Sequence, residues 1–124
     1  MKDTRPRNID FRTLKLPLPA ITSILHRISG AFLFFGIALL LYLLDKSLAS
    51  EAGFLQVTDL LTMLWVKLVV WAVVAGLLYH LVAGIRHLLM DSGIGESLTG
   101  GQLAAKLTIA VSAALILAAG VWLW

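Results

Sequence analysis

Three long runs without Asp, Glu, Lys or Arg constrain this chain more than any other feature. They are Ile28–Leu44 with 17 residues, Leu68–Ile85 with 18 and Leu107–Trp124 with 18. A helix of about 20 apolar residues crosses the hydrocarbon core of a bilayer. The sequence therefore predicts an all-α membrane protein with three transmembrane helices, forming a single integral domain over residues 1–124.

Prolines, glycines and polar residues suggest where these helices begin and end. Pro17 blocks a preceding helix, and Pro19 suits the first turn of a new one. We expect helices at about residues 19–48, 60–90 and 103–124, with a short loop over 49–58. The segment 91–95 (DSGIG) should end the second helix, and the glycine pair 100–101 should mark the turn into the third.

Composition excludes several classes of protein. The chain of 124 residues is 60% hydrophobic and 14% charged, so the three helices leave no room for an enzymatic domain. It has no cysteine, which excludes disulfides, iron–sulfur ligation and covalent c-type haem attachment. Nothing in the composition requires a soluble core.

The basic residues are distributed unevenly between the two sides of the predicted membrane domain. Lys and Arg concentrate on cytoplasmic loops, which predicts a cytoplasmic N-terminus and a periplasmic C-terminus. We read the net charge of +3 as a topology signal and not as nucleic-acid binding. A first apolar run of 17 residues exceeds the 7–15 of a signal peptide, so the N-terminal segment should be retained. One side receives Lys2, Arg5, Arg7, Arg12, Lys15, Arg27, Arg86 and Lys106, and the other only Lys46 and Lys67.

The second apolar run contains an ionisable residue, His80, and such a residue inside a membrane helix is a functional-site hypothesis by default. Residues advance about 100° each along a helix, which places Gly76, His80, Gly84 and His87 on one stripe. Glycines on either side of an imidazole leave space for a flat macrocycle and favour an axial haem ligand. The alternative is that the glycines only allow close helix packing.

Depth distinguishes the three histidines. His80 lies ten residues before Met90, or about 15 Å of helical rise, whereas His87 and His26 lie nearer the predicted cytoplasmic surface. A six-coordinate haem needs a second ligand at the depth of His80. Either His26 reaches it, which this estimate makes awkward, or a second subunit provides the ligand, which we prefer.

The first helix carries a polar face near its cytoplasmic end. Ser23, His26, Arg27 and Gly30 share this face at three- and four-residue spacing. A hydroxyl and a guanidinium there could hydrogen-bond a quinone carbonyl or a haem propionate. Alternatively, Arg27 only snorkels to the headgroups and Ser23 only bonds to its own helix. Orientation of this face towards the Gly76–His87 stripe would favour a site.

Two motifs in this chain resemble a known family. Residues 23–30, SILHRISG, match the S-x-x-H-R-x-S-G motif of the cytochrome b556 subunit of succinate dehydrogenase. Residues 80–87, HLVAGIRH, followed by Asp91, resemble that family's H-x-x-x-G-I-R-H motif ending in Asp. The N-terminal segment is similar at Arg5, Pro6, Asn8 and Asp10 and departs from the family at Arg7, where the usual residue is apolar.

The resemblance implies the large membrane-anchor subunit of succinate:ubiquinone oxidoreductase, complex II, in the bacterial inner membrane. In that family a flavoprotein oxidises succinate and an iron–sulfur subunit conducts the electrons, linking the tricarboxylic acid cycle to the respiratory chain. This chain and a second small membrane-anchor subunit would share one haem b and build the ubiquinone site. The chain alone is not expected to oxidise succinate and supplies no catalytic residue for that step.

The resemblance also implies roles for individual residues. His80 would be one axial ligand of the haem iron, and the other would be a histidine of the partner anchor. Ser23 and Arg27 would bind ubiquinone, with Ile24 lining the pocket. His26 and Arg27 would lie near the haem propionates. His87 is a further haem-proximal candidate, as are Gly76 and Gly84 on the stripe.

Other functions remain open from the sequence. The anchor of a quinol:fumarate reductase has the same architecture and supports the reverse reaction. A small transporter with His80 as a proton relay would need intramembrane carboxylates, and none of the three runs contains Asp or Glu. A purely structural membrane protein would leave the polar face with Ser23 and Arg27 unexplained.

Overall fold

The structure is a computed structural model that describes residues 17–124, so the N-terminal matches at residues 5–10 and five of the basic residues used for topology lie outside the described part. Four helices follow one another in this part: α1 (Leu18–Ala49), α2 (Glu51–Leu60), α3 (Leu64–Asp91) and α4 (Leu98–Leu123). Three of them, α1, α3 and α4, are long and apolar enough to cross a membrane. The predicted all-α fold with three spanning helices is confirmed.

Local sequence signals explain where the long helices start and stop. Pro17 is extended at φ −66° and ψ 155°, and α1 begins directly after it with a proline in its first turn. At the end of α3, Gly93 and Gly95 adopt φ values of 93° and 74°. Side chains rarely tolerate these angles, so glycine stops the helix there, as the sequence predicted.

The segment between the first two spanning helices differs from the prediction. We expected a loop over 49–58, but Glu51–Leu60 forms the helix α2. The Ser50 side chain accepts a hydrogen bond from the Gly53 amide at 2.9 Å, and Glu51 lies in the first turn, where an acidic residue is favourable. Because α2 ends at Leu60, the next spanning helix begins at Leu64 and not near residue 60.

The start of the last helix also lies earlier than predicted. Helix α4 begins at Leu98, five residues before the expected start at 103. The Ser97 hydroxyl accepts a hydrogen bond from the Gly100 amide at 3.0 Å. This cap satisfies an otherwise unpaired amide, so the glycine pair 100–101 lies inside the first turn of α4 and does not form a connecting turn.

Helix α3 packs against both α1 and α4, α1 and α4 also contact each other, and α2 packs on α1. Glycines allow the long helices to approach. A Cβ at Gly36 of α1 would lie 2.8 Å from a Val73 methyl of α3. Between α3 and α4, the Trp71 indole donates to the Ile116 carbonyl at 2.9 Å, and its ring lies against Gly120.

The buried part of the protein is narrow, and most large apolar side chains point outwards. Phe34 is 78% exposed and Phe35 is 75% exposed, both in the middle of α1. Lipid is as apolar as these side chains, so their exposure is expected in a bilayer, where helices associate through close packing of small residues. The buried hydrophobic residues are Leu33, Val57, Val66, Val70, Val73, Ala83 and Ala105.

A histidine and arginine cluster as candidate functional site

Three histidines from two helices meet near the end of the bundle where α1 begins and α3 ends. The His26 ring of α1 stacks on the His80 ring of α3, with centroids 4.2 Å apart and planes inclined by 12°. The His87 ring lies 6.2 Å from His26 and is inclined by 14°. His26 therefore lies between the two histidines of α3.

Hydrogen bonds hold the His80 imidazole on one edge. Its Nδ1 lies 3.0 Å from the Ser29 hydroxyl oxygen and 3.2 Å from the His26 carbonyl oxygen. Both partners belong to α1, one turn apart. The contacts of Nδ1 therefore tie the ring of α3 to the neighbouring helix.

A small polar pocket lies beside this stack. Its volume is about 80 Å³, and it opens between α1 and α3. The two arginines of the pocket have no acidic neighbour in its lining, so the pocket is electropositive. The polar face of α1 thus points towards the stripe on α3, which is the orientation that favours a site. The lining residues are Ser23, His26, Arg27, Ala83, Arg86 and His87.

The glycines of the stripe receive side chains from α1. A Cβ at Gly76 would lie 3.0 Å from the Phe32 ring, and one at Gly84 would lie 3.4 Å from His26 Nε2. Gly30 of α1 makes room for a side chain of α3 in the same way, because a Cβ there would lie 3.1 Å from His80 Cε1. In this chain the missing side chains make room for aromatic rings of the facing helix.

Further hydrogen bonds support the polar end of α1. The Tyr79 hydroxyl donates to the Thr22 carbonyl at 2.8 Å and joins α3 to α1 one residue from His80. The Ser23 hydroxyl donates to the Pro19 carbonyl at 3.0 Å within its own helix. This is the bond to its own helix that the sequence analysis gave as the alternative role of Ser23. The Ser23 oxygen can still accept a hydrogen bond from the pocket side.

A sequence profile of the succinate dehydrogenase/fumarate reductase transmembrane subunit family matches residues 1–119 of this chain. A succinate dehydrogenase cytochrome b556 subunit of Coxiella burnetii is 44% identical over 125 residues, covering 100% of both chains. The chain belongs to this family.

More distant members agree with this assignment. The cytochrome b556 subunit of succinate dehydrogenase from Paracoccus denitrificans is 34% identical and covers 92% of this chain and 88% of its own length. A mitochondrial cytochrome b560 subunit of succinate dehydrogenase from Dictyostelium discoideum is 31% identical over 90% of this chain and 58% of its own. The resemblance drawn from the two motifs is confirmed, and the chain is a multi-pass transmembrane subunit of this family.

The names of these relatives, as b-type cytochromes, raise the question of whether the cluster fits a haem ligand. A ligating histidine usually donates its other ring N–H to a protein acceptor, which fixes its tautomer. His80 Nδ1 has such acceptors in Ser29 and the His26 carbonyl. This leaves Nε2 as the nitrogen with a lone pair for a metal, so the donor chemistry fits.

The same geometry corrects the depth estimate for His26. The estimate placed His26 nearer the surface and made its approach to His80 awkward, yet their rings are in contact. Helical rise counted along one helix does not give the level of a residue on another, because the packing of the two helices decides it. The two rings present their faces to each other, so their nitrogen atoms do not converge on one point as two ligands of the same metal ion would.

The remaining predicted residues divide between the pocket and the surface. Arg27 and His87 line the pocket while remaining exposed, and His87 Nε2 also lies 3.6 Å from Asp91 Oδ2. Ile24 is 42% exposed and is absent from the pocket lining. Its side chain therefore does not contribute to this pocket in the structure.

Two residues of the cluster were missed from sequence. Ser29 was part of the matched motif but received no role, although its position three residues after His26 was a signal. Arg86 was read as a basic flank of the apolar run, yet it is only 6% exposed. Within residues 17–124 its Nε has no hydrogen-bond partner. Burial of a guanidinium depends on tertiary packing, which the spacing of the sequence does not reveal.

Proposed function

We propose that this chain is the large membrane-anchor subunit of a succinate:ubiquinone oxidoreductase in a bacterial inner membrane, with its N-terminus in the cytoplasm. In this proposal it binds one haem b jointly with a second small anchor subunit and forms part of the ubiquinone-reduction site. Succinate is oxidised by the flavoprotein, and an iron–sulfur subunit delivers the electrons. The observation that carries the proposal is the meeting of Ser23, His26 and Arg27 of α1 with the histidines of α3.

The proposed haem ligand is His80. Its Nδ1 is engaged by acceptors on α1, so Nε2 is the nitrogen available to iron. His26 stacks on the face of His80, so its nitrogen atoms do not point where Nε2 of His80 would bind iron, and His26 would not be a second ligand. A histidine of the second anchor subunit therefore completes the pair in our proposal, and haem b supplies one-electron storage between the iron–sulfur subunit and the quinone.

The electropositive pocket suits the propionate groups of haem b. Haem propionates are anions, and guanidinium and imidazole groups bind carboxylates through charge-assisted hydrogen bonds. His26 and Arg27 are the proposed propionate partners, and His87 is adjacent to them. Gly76 and Gly84 already receive α1 side chains, so entry of a macrocycle along this stripe requires Phe32 and His26 to move.

The proposed quinone site uses the outer part of the same face. Reduction of a quinone to a quinol takes up two electrons and two protons, and negative charge develops on the carbonyl oxygens. The Ser23 hydroxyl and the Arg27 guanidinium are donors that stabilise such charge. Arg27 lies near the start of α1, the end that we propose faces the cytoplasm, so protons would reach this region from water over a short distance. Ile24 would line the site on the side that faces the partner subunit.

The reverse reaction is the second candidate. The family whose profile matches includes fumarate reductases by name, and a quinol oxidation site needs the same residues. The relatives described above are all named as succinate dehydrogenase subunits, which favours the succinate-oxidising direction.

The decisive experiment is to purify the complex through a tag on this chain and to identify the subunits and the haem. We expect a flavoprotein, an iron–sulfur protein and a second anchor, with a low-spin b-type spectrum and succinate-dependent quinone reduction. Preparations that retain all four subunits but contain no haem would refute the haem part. Absence of quinone reduction, with succinate oxidation by an artificial acceptor intact, would refute the quinone part.

A further inference from the structure

Ser29 is a buried residue to which the proposed function assigns no role, although it contacts two histidines of the proposed site. It lies on α1 and is 8% exposed. Its hydroxyl donates to the His26 carbonyl at 2.7 Å, and its oxygen lies 3.0 Å from His80 Nδ1, a residue 51 positions away in the sequence. One hydroxyl therefore connects the backbone of one helix to the imidazole of another.

The direction of these bonds follows from the number of protons. A serine hydroxyl has one proton and two acceptor lone pairs. Its proton is used in the bond to the His26 carbonyl, so the oxygen can only accept from His80 Nδ1–H. The His26 carbonyl is a second acceptor for the same Nδ1 at 3.2 Å. Both contacts require a proton on Nδ1 and leave Nε2 unprotonated in the neutral ring.

Other serines of the chain provide a comparison. Ser47 donates to the Leu44 carbonyl at 2.8 Å, and Ser92 donates to the Leu89 carbonyl at 2.7 Å. These are the same bonds to the carbonyl three residues earlier, but both serines are at exposed sites and neither bond involves an imidazole. The local backbone bond of Ser29 is therefore ordinary, whereas its second partner is not.

We propose that Ser29 is a positioning residue for the haem ligand. It holds His80 in the Nδ1–H tautomer, fixes the orientation of the ring and increases the electron donation of Nε2 to the iron. This inference rests on the proposed function, because it assumes that His80 ligates haem b. Hydrogen bonds to the outer nitrogen of a ligating histidine raise its basicity, and a more basic ligand stabilises the oxidised iron and lowers the reduction potential.

The test compares Ser29→Ala and Ser29→Cys with wild type in the assembled complex. Alanine removes the acceptor, and cysteine keeps a side chain of similar shape with a much weaker acceptor atom. We expect a higher haem midpoint potential in both variants, larger for alanine, because one of the two Nδ1 acceptors is lost. Haem affinity should fall by about 10–100-fold, the usual effect of losing a partner of a metal-bound histidine.

Two matched controls separate this role from simple packing. Ser112→Ala removes a hydroxyl that is 2% exposed on α4, and Ser47→Ala removes the same type of backbone bond at an exposed position. Both should leave the potential and the low-spin spectrum unchanged. Succinate oxidation with an artificial acceptor reports assembly in every variant.

The outcomes are distinguishable from failure of the proposed function. If wild type contains low-spin haem and Ser29→Ala has the same potential, spectrum and haem content, Ser29 has no positioning role. The role would also be overturned if Ser29→Cys behaved as wild type and Ser29→Ala did not. In that case the shape of the side chain would matter, and the hydrogen-bond acceptor on Ser29 would not. A wild-type complex without haem would refute the proposed function itself.

Discussion

The imidazoles of His26 and His80 lie face to face, 4.2 Å apart between centroids, although the two residues are 54 positions apart in the sequence. Two stacked imidazole rings direct their nitrogen atoms in nearly parallel directions and not at one metal ion. Nδ1 of His80 is held by α1, whereas His26 approaches Gly84 with its Nε2. The two histidines are therefore expected to have different roles, and substitutions should separate them.

Replacing His80 should abolish the low-spin haem signal, and replacing His26 should not. His80→Leu removes the proposed axial nitrogen, whereas His26→Phe keeps a flat ring against His80 and Gly84. An optical and electron paramagnetic resonance spectrum of each purified complex measures the difference. Loss of the low-spin signal in both variants, with normal subunit content, would contradict the assignment of His80 as the single ligand from this chain.

Haem binding should require both anchor subunits. In the described part of this chain His80 is the proposed ligand, with Nδ1 held by α1 and Nε2 left for a metal, so the isolated chain should bind haem weakly or in a high-spin state. Coexpression with the second anchor should give a low-spin bis-histidine spectrum. A stable low-spin haem in the isolated chain would show that the second ligand comes from within it.

The close approach at Gly84 predicts a steric effect. A Cβ at this position already lies 3.4 Å from His26 Nε2, so Gly84→Leu should displace His26 and take up space beside the haem. We expect reduced haem content and an altered low-spin spectrum. Ala72→Leu is the matched control, because Ala72 is an exposed position on the same helix. Equal haem content in both variants would argue against a site beside Gly84.

Ser23→Ala and Arg27→Lys should impair quinone reduction selectively. Alanine removes one hydroxyl, whose hydrogen bond is worth about 0.5–1.5 kcal/mol, and lysine keeps the charge but loses the planar, multi-donor guanidinium. The ratio of succinate–quinone activity to succinate–artificial-acceptor activity on the same membranes measures the effect. Ser47→Ala should leave the ratio unchanged. If Arg27 only extends to the lipid headgroups, Arg27→Lys should leave this activity ratio unchanged.

The contact between α3 and α4 predicts a modest loss of stability. Trp71→Phe removes the hydrogen bond to the Ile116 carbonyl and reduces the edge-to-face contact with Trp124, whose centroid lies 5.9 Å away. Interhelical hydrogen bonds in membranes average about 0.6 kcal/mol, so we expect a loss of about that size. Unfolding in detergent mixtures measures it. Trp65→Phe, at a position that is 62% exposed, should change stability less.

Much of the fold followed from the sequence because hydrophobic runs have a direct physical cause. In a bilayer every backbone polar group must be bonded internally, which leaves a helix as the form of an uncharged run of this length. The helical repeat and the matched motif then predicted that Ser23, His26 and Arg27 share one face of α1. The helix α2 was missed because Ser50 and Glu51, its capping signals, are short-range features next to residues that also suit a loop.

The features that could be predicted from the sequence are local: three spanning helices, the glycines that end α3, and the side chains that share a face on each helix. Tertiary structure decided which faces meet and at what level. It brought His26 against His80, gave the imidazole its acceptor in Ser29, and buried Arg86 among neighbours. These contacts depend on the relative axial position of two helices, which is set by packing across their whole length. A one-dimensional pattern fixes the angle of a residue around its own helix axis and leaves that relative position undetermined.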